Sequence, residues 1–123
     1  MSKKEIMEDI KLLNSIADRE YYGEKGRVPI VIAAQFNLTN IVDNLIKDGA
    51  DVNELGNQNK TALFTAASRG HRYMCGVLLE AGADPNISSH GVTPIGIARQ
   101  RKHLGVVELL SNWNDKHGDR KVK

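Results

Sequence analysis

A chain of 123 residues, 41% hydrophobic and 26% charged, has the size and composition of one globular domain, which excludes a fibrous or disordered polypeptide. Its formal net charge of +2 is too small for the overall field to point to a nucleic-acid or membrane partner. A single cysteine, Cys75, excludes an intramolecular disulfide and a multi-cysteine metal site, as a reducing compartment allows. No apolar run reaches the roughly 18 residues of a membrane span, and the opening MSKKEIMEDIK mixes acids and bases where a signal peptide would be continuously apolar. A cytoplasmic location with no membrane partner is therefore expected. The charges are unevenly distributed: seven Lys/Arg stand against ten Asp/Glu up to Gln58, and ten against five after it.

In chain order, Ile6, Ile10, Leu13 and Ala17 share one helical face, widened by Met7, Leu12 and Ile16, and predict an amphipathic N-terminal helix. From Pro29 the sequence begins to repeat itself. PIVIAAQFN at Pro29 lies over ALFTAASRG at Ala62, and IVDNLIKDGAD at Ile41 lies over MCGVLLEAGAD at Met74, both at a spacing of 33 residues. A third copy, TPIGIARQ at Thr93 and VVELL at Val106, follows at a spacing of 32, one residue having been lost in the loop between.

Each copy predicts the same elements. A short helix follows Pro29, Ala62 and Pro94; Thr61 and Thr93 can cap the second and third, whereas Val28 offers no side-chain acceptor. After a break at Asn37 or Gly70, apolar residues at i, i+1, i+4 and i+5 mark one face of a second helix. That helix stops at Gly49 or Gly82, inside the recurring pentamers GADVN and GADPN, because glycine can take the left-handed conformation after a helix end. The polar stretches ELGNQNK and ISSHGV suit extended turns. Helices this short are marginal alone in water, so their stability must come from neighbouring copies, which predicts a stacked solenoid.

The period, the Ala33-Ala34 and Ala66-Ala67 pairs, TPIGIA at Thr93 and the repeated GAD-x-N together resemble the ankyrin-repeat family over about Gly26 to Trp113. The resemblance implies an all-α solenoid of stacked helix-turn-helix units with β-hairpin-like finger loops. The units run over 26–58, 59–89 and 90–116, preceded by a capping helix or degenerate repeat at 1–25 and followed by a frayed tail at 117–123. The chain departs from the family pattern at Val31, Phe64 and Gly96, where histidine is usual, so the polar network that histidine makes between repeats is expected to be absent or replaced. Asn37 and Lys102 stand where glycine usually separates the helices. The polar run Arg99 to His103 suits a terminal repeat facing water.

No reactive constellation is present in the sequence. His71, His90, His103 and His117 have no metal-ligand spacing, and no nucleophile elbow or phosphate loop occurs, so no catalytic residue, no metal and no cofactor are expected. Cys75 reads as core filler and His71 as a local cap of the second helix. The basic run RQRKH at Arg99 lacks aromatic neighbours for base stacking, and no nucleic-acid partner is expected.

By resemblance, partners dock on the concave side formed by first helices and finger tips. Transferred by register, these positions are Glu24, Lys25, Arg27, Gln35 and Phe36, then Leu55, Asn57, Gln58, Lys60, Ser68 and Arg69, then Ser89, His90, Val92, Gln100 and Arg101. Phe36 aligns with Arg69 and Arg101, an aromatic followed by two guanidiniums, which are the residue types that dominate binding hot spots; the competing reading folds Phe36 under the N-terminal helix. The expected function is non-catalytic protein–protein interaction by a monomer whose partner carries an acidic segment. A narrower version is a small bacterial-type regulator, inhibitor or immunity protein. A different reading makes Asn53 and Asn86 targets of asparagine hydroxylation, against the structural reading that an Asn side chain there bonds its own turn.

Overall fold

Three short segments begin their helices in the way the sequence prescribes. In the computed structural model, which describes residues 28–117, α1 spans Pro29–Gln35 after an uncapped Val28. Thr61 Oγ1 accepts the Phe64 N–H at 3.0 Å to start α3, Ala62–Ser68, and Thr93 Oγ1 accepts the Gly96 N–H at 3.2 Å to start α5, Pro94–Gln100. Each is followed by a second helix: α2 over Thr39–Lys47, α4 over Arg72–Glu80 and α6 over Leu104–His117. The expected helix at 1–25, Arg27 and the tail from residue 118 lie outside the described residues.

The first helices form one row, α1 against α3 against α5, and each packs on its own second helix, with α4 also packed on α6. Between the rows lies a continuous core. Ile30, Leu63, Met74, Leu78, Leu79, Val106 and Leu110 are buried in it, and the alanine pairs let the first helices approach closely. Burying such side chains contributes about 1.5–3 kcal/mol each, which is what holds helices of seven to nine residues in place.

Helix ends repeat as faithfully as helix starts. After α2, the Gly49 N–H bonds Ile46 O and the Ala50 N–H bonds Leu45 O; after α4, Gly82 and Ala83 do the same to Leu79 and Leu78. These are Schellman closures with the pentamer glycine at φ +93° and +101°. The short helices close alike, but the left-handed residue is Asn37, Gly70 and Lys102 in turn. Gly70 has a further reason to lack a side chain: a Cβ there would stand 2.7 Å from His103 Nδ1.

Beyond the glycine, the pentamer divides its labour differently from expectation. Asp51 and Asp84, not the asparagines, make the local turns, each Oδ1 accepting the N–H of Asn53 or Asn86 at 2.9 Å. Asn53 instead bridges to the next copy, its Nδ2 donating to Gly82 O at 3.3 Å and its Oδ1 accepting the Asp84 N–H at 2.8 Å. An aspartate is acceptor-only when ionised, so it closes its own turn well, whereas an amide can donate and accept at once and so holds both a carbonyl and an N–H of the next loop.

The missing residue of the third copy lies at a finger tip. In the first finger Gly56 and Lys60 are joined by a 2.9 Å hydrogen bond around a 3-10 turn, Asn57–Asn59. At the equivalent place Ser89 and Val92 exchange bonds of 2.9 and 3.0 Å around His90 and Gly91, both at positive φ. A two-residue turn of that shape is the compact hairpin connection. Ser89 Oγ ties the fingers together by donating to Gln58 O at 2.6 Å.

Candidate partner-binding cleft

The row of first helices and the turn of the first finger enclose an open cleft of about 670 Å³. Its apolar wall is Val31 and Ile32; its polar lining is Gln35, Asn57, Lys60, Thr65, Ser68, Arg69, His71, Arg101 and His103. The side chains reach it because α1, α3 and α5 are in register, so that Gln35 and Ser68 come from corresponding helix ends and Arg69 and Arg101 from the corresponding positions just after them. Among the described residues, three cations and no carboxylate line this cleft. Lys60, Arg69 and Arg101 form no ion pair among the described residues.

Both cleft histidines fasten one repeat to the one before. His71 Nε2–H donates to Gln35 O at 3.3 Å and His103 Nε2–H to Ser68 O at 3.1 Å. Arg101 Nη1 also donates to Ser68 O, at 3.4 Å. The acceptors are carbonyls at the C-terminal ends of α1 and α3, which have no partner within the helix and carry its partial negative charge. His71 therefore does not cap its own helix, as the sequence suggested: it sits at the N-cap of α4 with no side-chain cap bond. The polar network that family histidines supply from the first helix is here replaced by these rings, by Asn53 and by Ser89.

Of the positions expected to bind a partner, Gln35, Asn57, Lys60, Ser68, Arg69 and Arg101 line the cleft. Phe36, 36% exposed, lies at its edge with the Arg69 guanidinium carbon 5.9 Å from the ring centroid. Leu55 is exposed on the first finger, and Gln58 is exposed too, its carbonyl occupied by Ser89. His90 is exposed at the second tip, Val92 is half-buried beside it, and Gln100 is exposed on α5; none of these five lines the cleft. Ser89 is buried. Thr65, Val31, Ile32, His71 and His103 line the cleft without having been placed there by sequence. The signal for the histidines was their shared register, 32 residues apart; for Thr65 there was none.

The Cys75 thiol is buried and pushed up from 9.0 to about 12 by that burial, so it stays protonated near neutrality and is a poor nucleophile. No cluster of three His, Cys, Asp or Glu able to hold a metal occurs among the described residues. No helix among them is long and apolar enough to cross a membrane. Asn53 has both ends of its amide engaged, whereas Asn86 is exposed.

Known proteins bring the architecture into context. The family described as ankyrin repeats (3 copies) matches residues 4–89 and 30–121. The B-cell lymphoma 3 protein homolog of Mus musculus is 33% identical over 88 residues, 71% of this chain and 19% of its own length. Inversin of Gallus gallus is 30% identical over 86 residues, 69% of this chain and 8% of its own. The phosphocholine transferase AnkX of Legionella pneumophila is 38% identical over 55 residues, 45% of this chain and 6% of its own. The chain thus spans a fifth or less of the length of these relatives. With its repeat register, helix pairs and family match in agreement, the chain belongs to the ankyrin-repeat family, whose repeats are generally protein–protein interaction modules.

Proposed function

We propose that this chain is a non-catalytic module that binds a partner protein in the cleft between its first helices and fingers, and that the partner presents an acidic segment there. The observation that carries the reading is the cleft's lining, with Lys60, Arg69 and Arg101 and no carboxylate among the described residues. Charge complementarity of this kind steers encounter and fixes register more than it sets affinity. Phe36 beside Arg69 supplies an aromatic and arginine anchor of the kind that dominates binding energy. The module acts as a monomer, and neither nucleic acid nor a cofactor is part of this reading.

The test uses a partner identified by affinity purification from the source cell, with binding then measured on purified proteins. Replacing Phe36 and Arg69 with Ala is expected to weaken binding at least tenfold while the helical circular dichroism is unchanged. Unchanged affinity would remove the cleft as the docking site. A partner that is a toxin or enzyme silenced on binding would support the narrower role of regulator, inhibitor or immunity protein.

A further inference from the structure

The cleft is lined by Thr65, whose buried hydroxyl has no hydrogen-bond partner among the described residues. Thr65 sits in the middle of α3, its backbone N–H bonded to Thr61 O at 3.0 Å. A threonine within a helix can turn its Oγ1 to a carbonyl three or four residues back. Here Oγ1 is without a hydrogen bond among the described residues, although Thr65 is only 7% exposed. An unsatisfied buried hydroxyl is unfavourable, and such exceptions call for an explanation.

The neighbouring groups suggest what completes it. Lys60, Arg69 and Arg101 line the same cleft, and none is neutralised by a carboxylate among the described residues. The carbonyl ends of α1 and α3 would repel an anion, but they are covered: Gln35 O accepts from His71, and Ser68 O from His103 and Arg101. The Arg69 guanidinium rests by the Phe36 ring and makes no hydrogen bond among the described residues.

We propose that this part of the cleft is a site for a phosphate monoester, a phosphoserine or phosphothreonine of the bound segment. The Thr65 hydroxyl donates to one phosphate oxygen, while Lys60, Arg69 and Arg101 neutralise the charge. The proposal rests on the protein-binding reading and adds to it that binding depends on phosphorylation of the partner. A phosphomonoester carries about −1.5 to −2 charges and three strong acceptor oxygens. It therefore matches several cations and a neutral donor better than one carboxylate does, and guanidiniums bind it with paired N–H groups.

The full chain, labelled with nitrogen-15, is titrated at constant ionic strength with inorganic phosphate, N-acetyl-O-phosphoserine amide and N-acetylglutamate amide. Phosphate and phosphoserine are expected to give saturable amide shifts around Thr65 to Arg69 and Arg101 to His103, with phosphoserine at least tenfold tighter than glutamate. Thr65→Val and Arg101→Gln should each weaken phosphoserine binding at least fivefold. The unliganded Thr65→Val protein should at the same time unfold at a higher temperature, because it no longer buries an unsatisfied hydroxyl, so lost binding is not lost folding. Glutamate binding as tightly as phosphoserine, shifts no larger than those from chloride, or an unaffected Thr65→Val variant would each overturn the site. A partner that still binds after phosphatase treatment, yet is lost on replacing Phe36 and Arg69, would overturn the phosphate site and leave the protein-binding cleft standing.

Discussion

Helices α3 and α5 have the same length and the same threonine cap, yet they differ in what they bury. All of Ala62 to Ala67 is buried in α3, whereas α5 buries only Pro94 and Ala98. The difference follows from neighbours rather than from local pattern: α3 is packed by both α1 and α5. In a stack of repeats, local sequence places each helix, and nearest-neighbour interfaces supply most of its stability. The less buried α5 accordingly tolerates Gly96 in its interior, where glycine costs about 1 kcal/mol relative to alanine.

The sharpest way to break this contrast is truncation. Leu63→Ala, at a fully buried position, should lower stability by roughly 2–5 kcal/mol, whereas Ile97→Ala, only partly buried, should lower it by about 1 kcal/mol. Urea unfolding of the two variants checks this, and equal losses would mean that α5 is as deeply supported as α3. Next come the left-handed residues after the two helices. Gly70→Ala should destabilise by roughly 1–2 kcal/mol from backbone conformation alone, with more from the contact on His103. Lys102→Gly, at the corresponding place where φ is +63°, should stabilise by up to about 1 kcal/mol, because glycine adopts that conformation without strain; opposite shifts in thermal midpoint are the expected result. The smallest contrast lies in the caps. Thr61→Ala and Thr93→Ala should each lower stability by about 1 kcal/mol, with the larger loss at buried Thr61, where the freed Phe64 N–H has poor access to water. A larger loss at Thr93 would reverse the ranking of the two ends.

Much of the fold was legible because it is local and repeated. Thr61, Thr93 and the pentamer glycines announce helix starts and stops through backbone chemistry that needs no tertiary context. The lost residue between the second and third copies mapped to a real difference in finger length. The cleft was legible only in part, because the register of Gln35 with Ser68 and of Arg69 with Arg101 locates corresponding helix ends but not the angle of the fingers. Leu55, Gln58, His90, Val92 and Gln100 share that register without lining the cleft. His103 was absorbed into a basic run and read as surface, although it grips the preceding repeat. Thr65 was invisible for a different reason: an unpaired hydroxyl is defined by what surrounds it, and no spacing of residue types encodes that.

The amide of Asn53 spans the loops after α2 and α4 with two hydrogen bonds, while Asn86, in the same register, makes no such bridge among the described residues. The Asn53 amide rivets the loop closing the first helix pair to the loop closing the second. The third pair is held to the second by different grips, those of His103 and Arg101 on Ser68 O and of Arg72 Nε on Gly105 O. Because the cleft is lined by residues from all three pairs, the segment proposed to lie in it would cross both joints and splint them.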